Sequence, residues 1–117
     1  MEVGFPLGGF KSVTPSALTG AVNILHTASV TYAKFSGNLT AAVSALTLAT
    51  GSNTPQDGDK LILEIPSSAS AYTVTCSTTN FTKATVITGV ASNSVVAMFI
   101  AVGGKFNHVS TVTQTLS

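Results

Sequence analysis

Few side chains in this sequence can do chemistry. Beyond the first few residues the groups to weigh are His26, His108, Asp57, Asp59, Glu64 and Cys76. A metal site needs several His, Cys or carboxylate groups converging on one point. Asp57-Gly58-Asp59 matches the opening of a calcium loop, but no glutamate closes that loop, and Glu64 falls inside an apolar run. An Asp-Gly turn whose carboxylates accept backbone N–H bonds is the simpler expectation. His26 and His108 lie far apart in sequence, and each is expected to be half-buried or at an interface. Cys76 ends the run AYTVTC with no cation or His beside it, so a buried structural thiol is expected rather than a nucleophile. A single cysteine also leaves no internal disulfide.

Nucleophilic catalysis has little to draw on. Fourteen serines are present, but none lies in a G-x-S-x-G elbow. Any triad would have to recruit one of two His and one of three carboxylates. Glycosidase chemistry needs two acids facing one sugar, so Asp57, Asp59 and Glu64 would have to meet in one cleft. Neither Gly8-Gly9 nor Gly103-Gly104 continues into the G-K-[ST] of a phosphate-binding loop. Two glycosylation sequons, at Asn38 and Asn80, are what chance supplies in a chain this rich in Ser and Thr. The expectation is therefore a protein with no catalytic, cofactor-binding or metal-ligating residue, and not an enzyme.

Composition sharpens that expectation. The 117 residues include five cations (all Lys) and four acids, for a net charge of +1. Charged residues are 8% of the chain, where an ordinary domain has about 25%. Without Arg or clustered Lys, a nucleic-acid partner is not expected. A mean hydropathy of +0.47 excludes a disordered chain. Most of the exterior must be built from Thr, Ser, Ala, Asn and Gly, since Thr and Ser alone number 18 and 14. A β-prone exterior with little charge associates, so a homo-oligomer is expected. The longest apolar run, VVAMFIAV, is far short of the ~20 residues of a spanning helix. Eight aromatics are too few for the girdles of a membrane barrel, and no membrane partner is expected. The opening MEVGFPLGGFK has an acid and no basic region before its apolar residues, so it does not read as a signal peptide.

These residues have to be positioned by strands. Residues 1–16 read as an extended N-terminal arm, in which flexible glycines alternate with Phe5, Leu7 and Phe10. Those three side chains are expected to contact a neighbouring subunit or, equally, to fold back on the chain's own domain. Residues 17–117 form the β-domain. Thr14-Pro15 followed by Leu18, Ala21, Val22 and Leu25 suggests a short helix, with Gly20 counting against it. Residues 27–35 read as a strand, and residues 38–50 lean to strand because Thr is a poor helix former. GSNTPQDGD is a loop, and KLILEIP after it alternates cleanly. Residues 71–76, 83–90 and 94–102 continue as strands. Gly103-Gly104 is a two-residue hairpin turn, and residues 105–115 pair back. About seven strands with regular turn signals predict an all-β sandwich or small barrel-like domain.

The run from about Asp57 to Ser110 resembles small β-domains of tailed-bacteriophage virions. The likeness rests on Asp57-Gly58-Asp59, Asn80-Phe81-Thr82 and the apolar strand entering Gly103-Gly104-Lys105-Phe106. Such domains occur in capsid decoration and fibre proteins, commonly as trimers, and often have Trp where this chain has Phe106. The resemblance implies a structural virion protein, made in the host cytoplasm. It would decorate or cement the capsid as a homo-oligomer, with a trimer the expected form. Its partners would be the major capsid protein or other virion subunits. The rival expectation is a fibre-tip or adhesin-like module recognising a cell-surface glycan, weakened by the absence of Trp and the presence of only two Tyr.

Overall fold

The computed structural model describes residues 9–115. In it β1 (Phe10–Val13), β3 (Val30–Lys34), β5 (Lys60–Pro66), β8 (Asn93–Val102) and β9 (Lys105–Thr115) lie in that order in a five-stranded sheet. A four-stranded sheet is ordered β2 (Gly20–Ile24), β4 (Val43–Leu48), β6 (Thr73–Cys76), β7 (Val86–Thr88). The expected all-β class holds. The two sheets pack as a sandwich, and neither closes into a barrel among the described residues.

From β1 to β6 the chain alternates between the sheets, so each strand pairs in parallel with the strand two before it. The six strands wind like turns of a coil. Phe10, Val30 and Lys60 begin successive strands of one sheet, so the first turn takes 20 residues and the second 30. Turns of unequal length leave no fixed repeat in the sequence. The winding then stops: β7 pairs antiparallel with β6, β8 with β5, and β9 with β8.

Alternation decides what faces inward. Leu61, Leu63 and Ile65 of β5 and Val95, Ala97, Phe99 and Ala101 of β8 meet Val22, Ile24, Val43, Leu46, Val74 and Cys76 of the other sheet. Phe81, Phe99 and Phe106 fill one end of the core, with Phe81 5.2 Å from Phe99 and 6.0 Å from Phe106 between ring centres. Phe81 and Phe106 also form a bridge, and both are buried. Gly103 and Gly104 have φ of 65° and 85°, as the predicted hairpin turn requires.

Two local expectations are corrected. No helix follows Pro15; residues 20–24 are β2 instead. Leu18, Ala21, Val22 and Leu25 fit helical spacing, but Val22 and Ile24 also alternate with Ala21 and Asn23, and the sheet core claims the alternating pair. Gly20 starts that strand at φ 73°, a value that helix geometry excludes. Nine strands occur among the described residues, β1 and β2 being the additions. Phe10–Val13, within the segment read as an arm, is an edge strand running parallel to β3. Residues 1–8, with Phe5 and Leu7, lie outside the described residues.

Candidate functional site

The residues with chemical potential fall into two polar clusters on opposite sides of the five-stranded sheet. The inner cluster centres on His26, 1% exposed, just after β2. Its Nε2 lies 3.0 Å from Asp59 Oδ2 and its Nδ1 lies 2.7 Å from Thr31 Oγ1. With the Asp59 carboxylate as acceptor, Nε2 carries the proton and Nδ1 accepts from the Thr31 hydroxyl. Hydroxyl, imidazole and carboxylate thus stand in the order of a hydrolase triad. Thr31 is 0% exposed, so its oxygen is closed to a substrate carbonyl in this arrangement. What the cluster does is tie three segments together. The His26 N–H donates to Ser52 Oγ, its carbonyl accepts from Asn53, and its ring meets Phe106 edge-on at 5.2 Å.

The Asp-Gly turn behaves as expected. Asp57 Oδ1 accepts the Gly103 N–H at 2.9 Å, and Asp59 Oδ2 accepts the Gln56 N–H at 3.0 Å. Between them Gly58 donates to the Ala101 carbonyl, which fastens this loop to β8. A cavity of about 400 Å³ opens beside the cluster, lined by Ser29, Asn53, Thr54, Gln56 and Asp59 among others. Hydroxyls, amides and one carboxylate line it together with Ala28 and the apolar parts of those side chains. The one ring among the described lining residues, His26, is buried.

The outer cluster centres on Glu64 of β5. Tyr32 donates to Glu64 Oε1, Ser94 donates to Oε2 at 3.0 Å, and Lys34 Nζ approaches Oε2 at 3.9 Å. The hydrogen bond to Glu64, aided by burial and by the carboxylate's charge, pushes the Tyr32 phenol up to about 12. Burial pushes the Cys76 thiol up to about 12, which makes it the inert structural thiol the sequence predicts. Neither histidine is half-buried: His26 is fully buried, and His108 is exposed, with its Nε2 2.7 Å from Thr111 Oγ1. No group of three His, Cys, Asp or Glu that could hold a metal occurs among the described residues.

Around the outer cluster the sheet face is apolar. Register sets Tyr32 beside Ile62 and Ile62 beside Met98, while Val30, Val96 and Ile100 occupy neighbouring positions of the same face. Most of these side chains are only half covered. At the edge stands Phe10, the described member of the three predicted contact residues. It is 61% exposed, with its ring centre 6.1 Å from that of Tyr32. Sequence reasoning located Phe10 but missed the face it belongs to. The alternation in KLILEIP contained the signal, because Ile62 points opposite to Leu61 and Leu63 and is equally apolar.

No family model matches the chain, and no match was found among curated proteins or solved structures.

Proposed function

We propose that this protein is a structural subunit of a virion surface, of the capsid decoration or cement kind, acting in many copies through association rather than chemistry. The observation that carries the reading is the outer face of the five-stranded sheet. Parallel strands are ordinarily covered on both faces. Here β1, β3 and β5 present Phe10, Val30, Tyr32 and Ile62 outward with nothing packed over them among the described residues. Glu64 lies in that face already bonded to Tyr32 and Ser94, so its charge can be covered at reduced cost. Phe10, with Phe5 and Leu7 before it, is the proposed anchor on the major capsid protein or another virion subunit. A subunit that binds only the assembled shell stabilises it by about 1.4 kcal/mol for each tenfold excess over Kd. A homotrimer is the proposed working form.

The cavity beside His26 favours a second reading, a fibre-tip or adhesin-like module that binds a glycan through Asn53, Gln56 and Asp59. Among the described residues no exposed aromatic ring lines the cavity for a sugar to stack on. Counting copies in purified particles decides between the two. Hundreds per particle are expected for decoration. A few to a few dozen, with glycan binding lost in Asn53→Ala, would favour the second reading.

A further inference from the structure

The β8–β9 hairpin overhangs the rest of the sandwich. Along β8 buried and half-buried residues alternate, but every residue from His108 to Gln114 on β9 is exposed. The four-stranded sheet does not reach beneath this stretch, so both faces of β9 are in contact with solvent. Its outer edge is covered at one point only among the described residues: the Phe106 N–H donates to the Asn80 carbonyl, and the Phe106 carbonyl accepts from Thr82. Beyond Phe106 no described residue bonds to that edge.

The backbone groups on the open edge can be assigned. Successive residues of an antiparallel ladder direct their N–H and C=O alternately towards and away from the partner. Ala101 uses both its groups towards the β5 side, bonding Asp59 and Gly58. By alternation Phe99, Ala97 and Val95 also turn away from β9. Their register partners His108, Thr111 and Thr113 therefore point their own N–H and C=O outward, the bulge at Val109 having taken up the extra residue. Exposed edges are usually guarded by Lys, Pro or a very short strand. This one has no charged residue and no proline from Phe106 to Thr115. The opposite edge, β1, is four residues long and carries Lys11.

We propose that the open edge of β9 pairs with β9 of a second copy of this chain, antiparallel about a two-fold axis through Val112. Such a contact is self-complementary. Thr111 faces the partner's Thr113 and exchanges N–H···O=C bonds with it, and Thr113 faces the partner's Thr111. Threonine pairs are favourable across strands. The uncharged strand brings no like charges together. Val112 is more than half exposed and lies in the same row as Val96, and it meets the partner's Val112 across the axis. The apolar outer face thus becomes continuous from one copy to the next, and two five-stranded sheets become one of ten. The inference does not depend on where the protein resides.

The test is light scattering on the purified chain, with amide hydrogen exchange resolved along β9. Thr113→Pro removes one outward N–H and leaves the β8 ladder intact, as edge prolines do. The double variant Thr111→Lys/Thr113→Lys keeps the backbone and sets like charges across the axis. The wild-type mass is expected to be an even multiple of 11.8 kDa: about 24 kDa for a simple pair, or about 71 kDa where the edges join two of the proposed trimers. Both variants should halve that mass while their β-sheet circular dichroism is unchanged. The Thr111 and Thr113 amides should exchange at least tenfold more slowly in the wild type than in the lysine variant. A wild-type monomer would overturn the proposal, whether those amides are open or are covered by the chain's own terminal segments. So would an oligomer whose mass survives both variants, or one that falls to a third.

Discussion

On the outer face of the four-stranded sheet, register places Ala21, Asn23, Ala45, Thr47, Thr73, Thr75 and Thr88, with Val86 at the edge. On the outer face of the five-stranded sheet it places Phe10, Val30, Tyr32, Ile62, Met98 and Ile100. Both faces rest on one core and both sheets are partly parallel, yet one faces water through hydroxyls and the other offers aromatic and branched apolar side chains. Threonine fits the pleat as a β-branched residue while its hydroxyl stays hydrated, so it can occupy an outward position without inviting a partner. Isoleucine in the same position gains only when something covers it, at about 25 cal/mol per Å² of apolar area. Strand period shows which residues point outward, and their chemistry shows which outward face would gain by being covered.

The largest expected effect removes the floor beneath both faces. Phe99 is fully buried against Phe81, and Phe99→Ala should cost about 3–5 kcal/mol in urea unfolding and weaken any surface function in proportion. The comparison itself is broken more selectively by charge. Met98→Lys puts an ammonium in the apolar face, and binding to the assembled particle should fall by more than a hundredfold, about 3 kcal/mol. Thr75→Lys, on the hydroxyl face, should leave binding within twofold, and equal losses from the two variants would show that the faces do not differ in role.

A smaller effect is expected at the inner polar cluster. Asp59→Ala leaves the buried Nε2–H of His26 without its acceptor, at about 1–3 kcal/mol of stability. Binding by the folded variant should be unchanged; its loss would mean that the cavity beside His26 is the functional site. The smallest effect is alkaline. Tyr32, raised from 10.0 to about 12, and Cys76, raised from 9.0 to about 12, both hold their protons more tightly folded than unfolded. The stability they contribute is complete below about pH 9 and is lost as the pH rises towards 12. Tyr32→Phe should flatten the fall above pH 10, and Cys76→Ala the fall from pH 9. Urea midpoints measured at pH 8 and pH 11 check both.

Much of this protein is decided locally and can be read from the residues alone. Alternation in KLILEIP marks β5 from end to end, Gly103-Gly104 sets the hairpin, and the Asp57-Gly58-Asp59 carboxylates cap backbone N–H groups. All but one depend on neighbours a few residues apart; the exception is Asp57, whose carboxylate reaches Gly103, 46 residues on. The rest depends on partners that only the folded chain brings together. Parallel pairing of β1 with β3 and of β3 with β5 follows from crossings between sheets of unequal length, which leave no repeat to find. His26, Thr31 and Asp59 meet because three segments pack at one end of the core, although 33 residues separate His26 from Asp59. The apolar face is divided among five strands, with one or a few outward side chains on each. No window of sequence contains it, and only the register of the sheet assembles it.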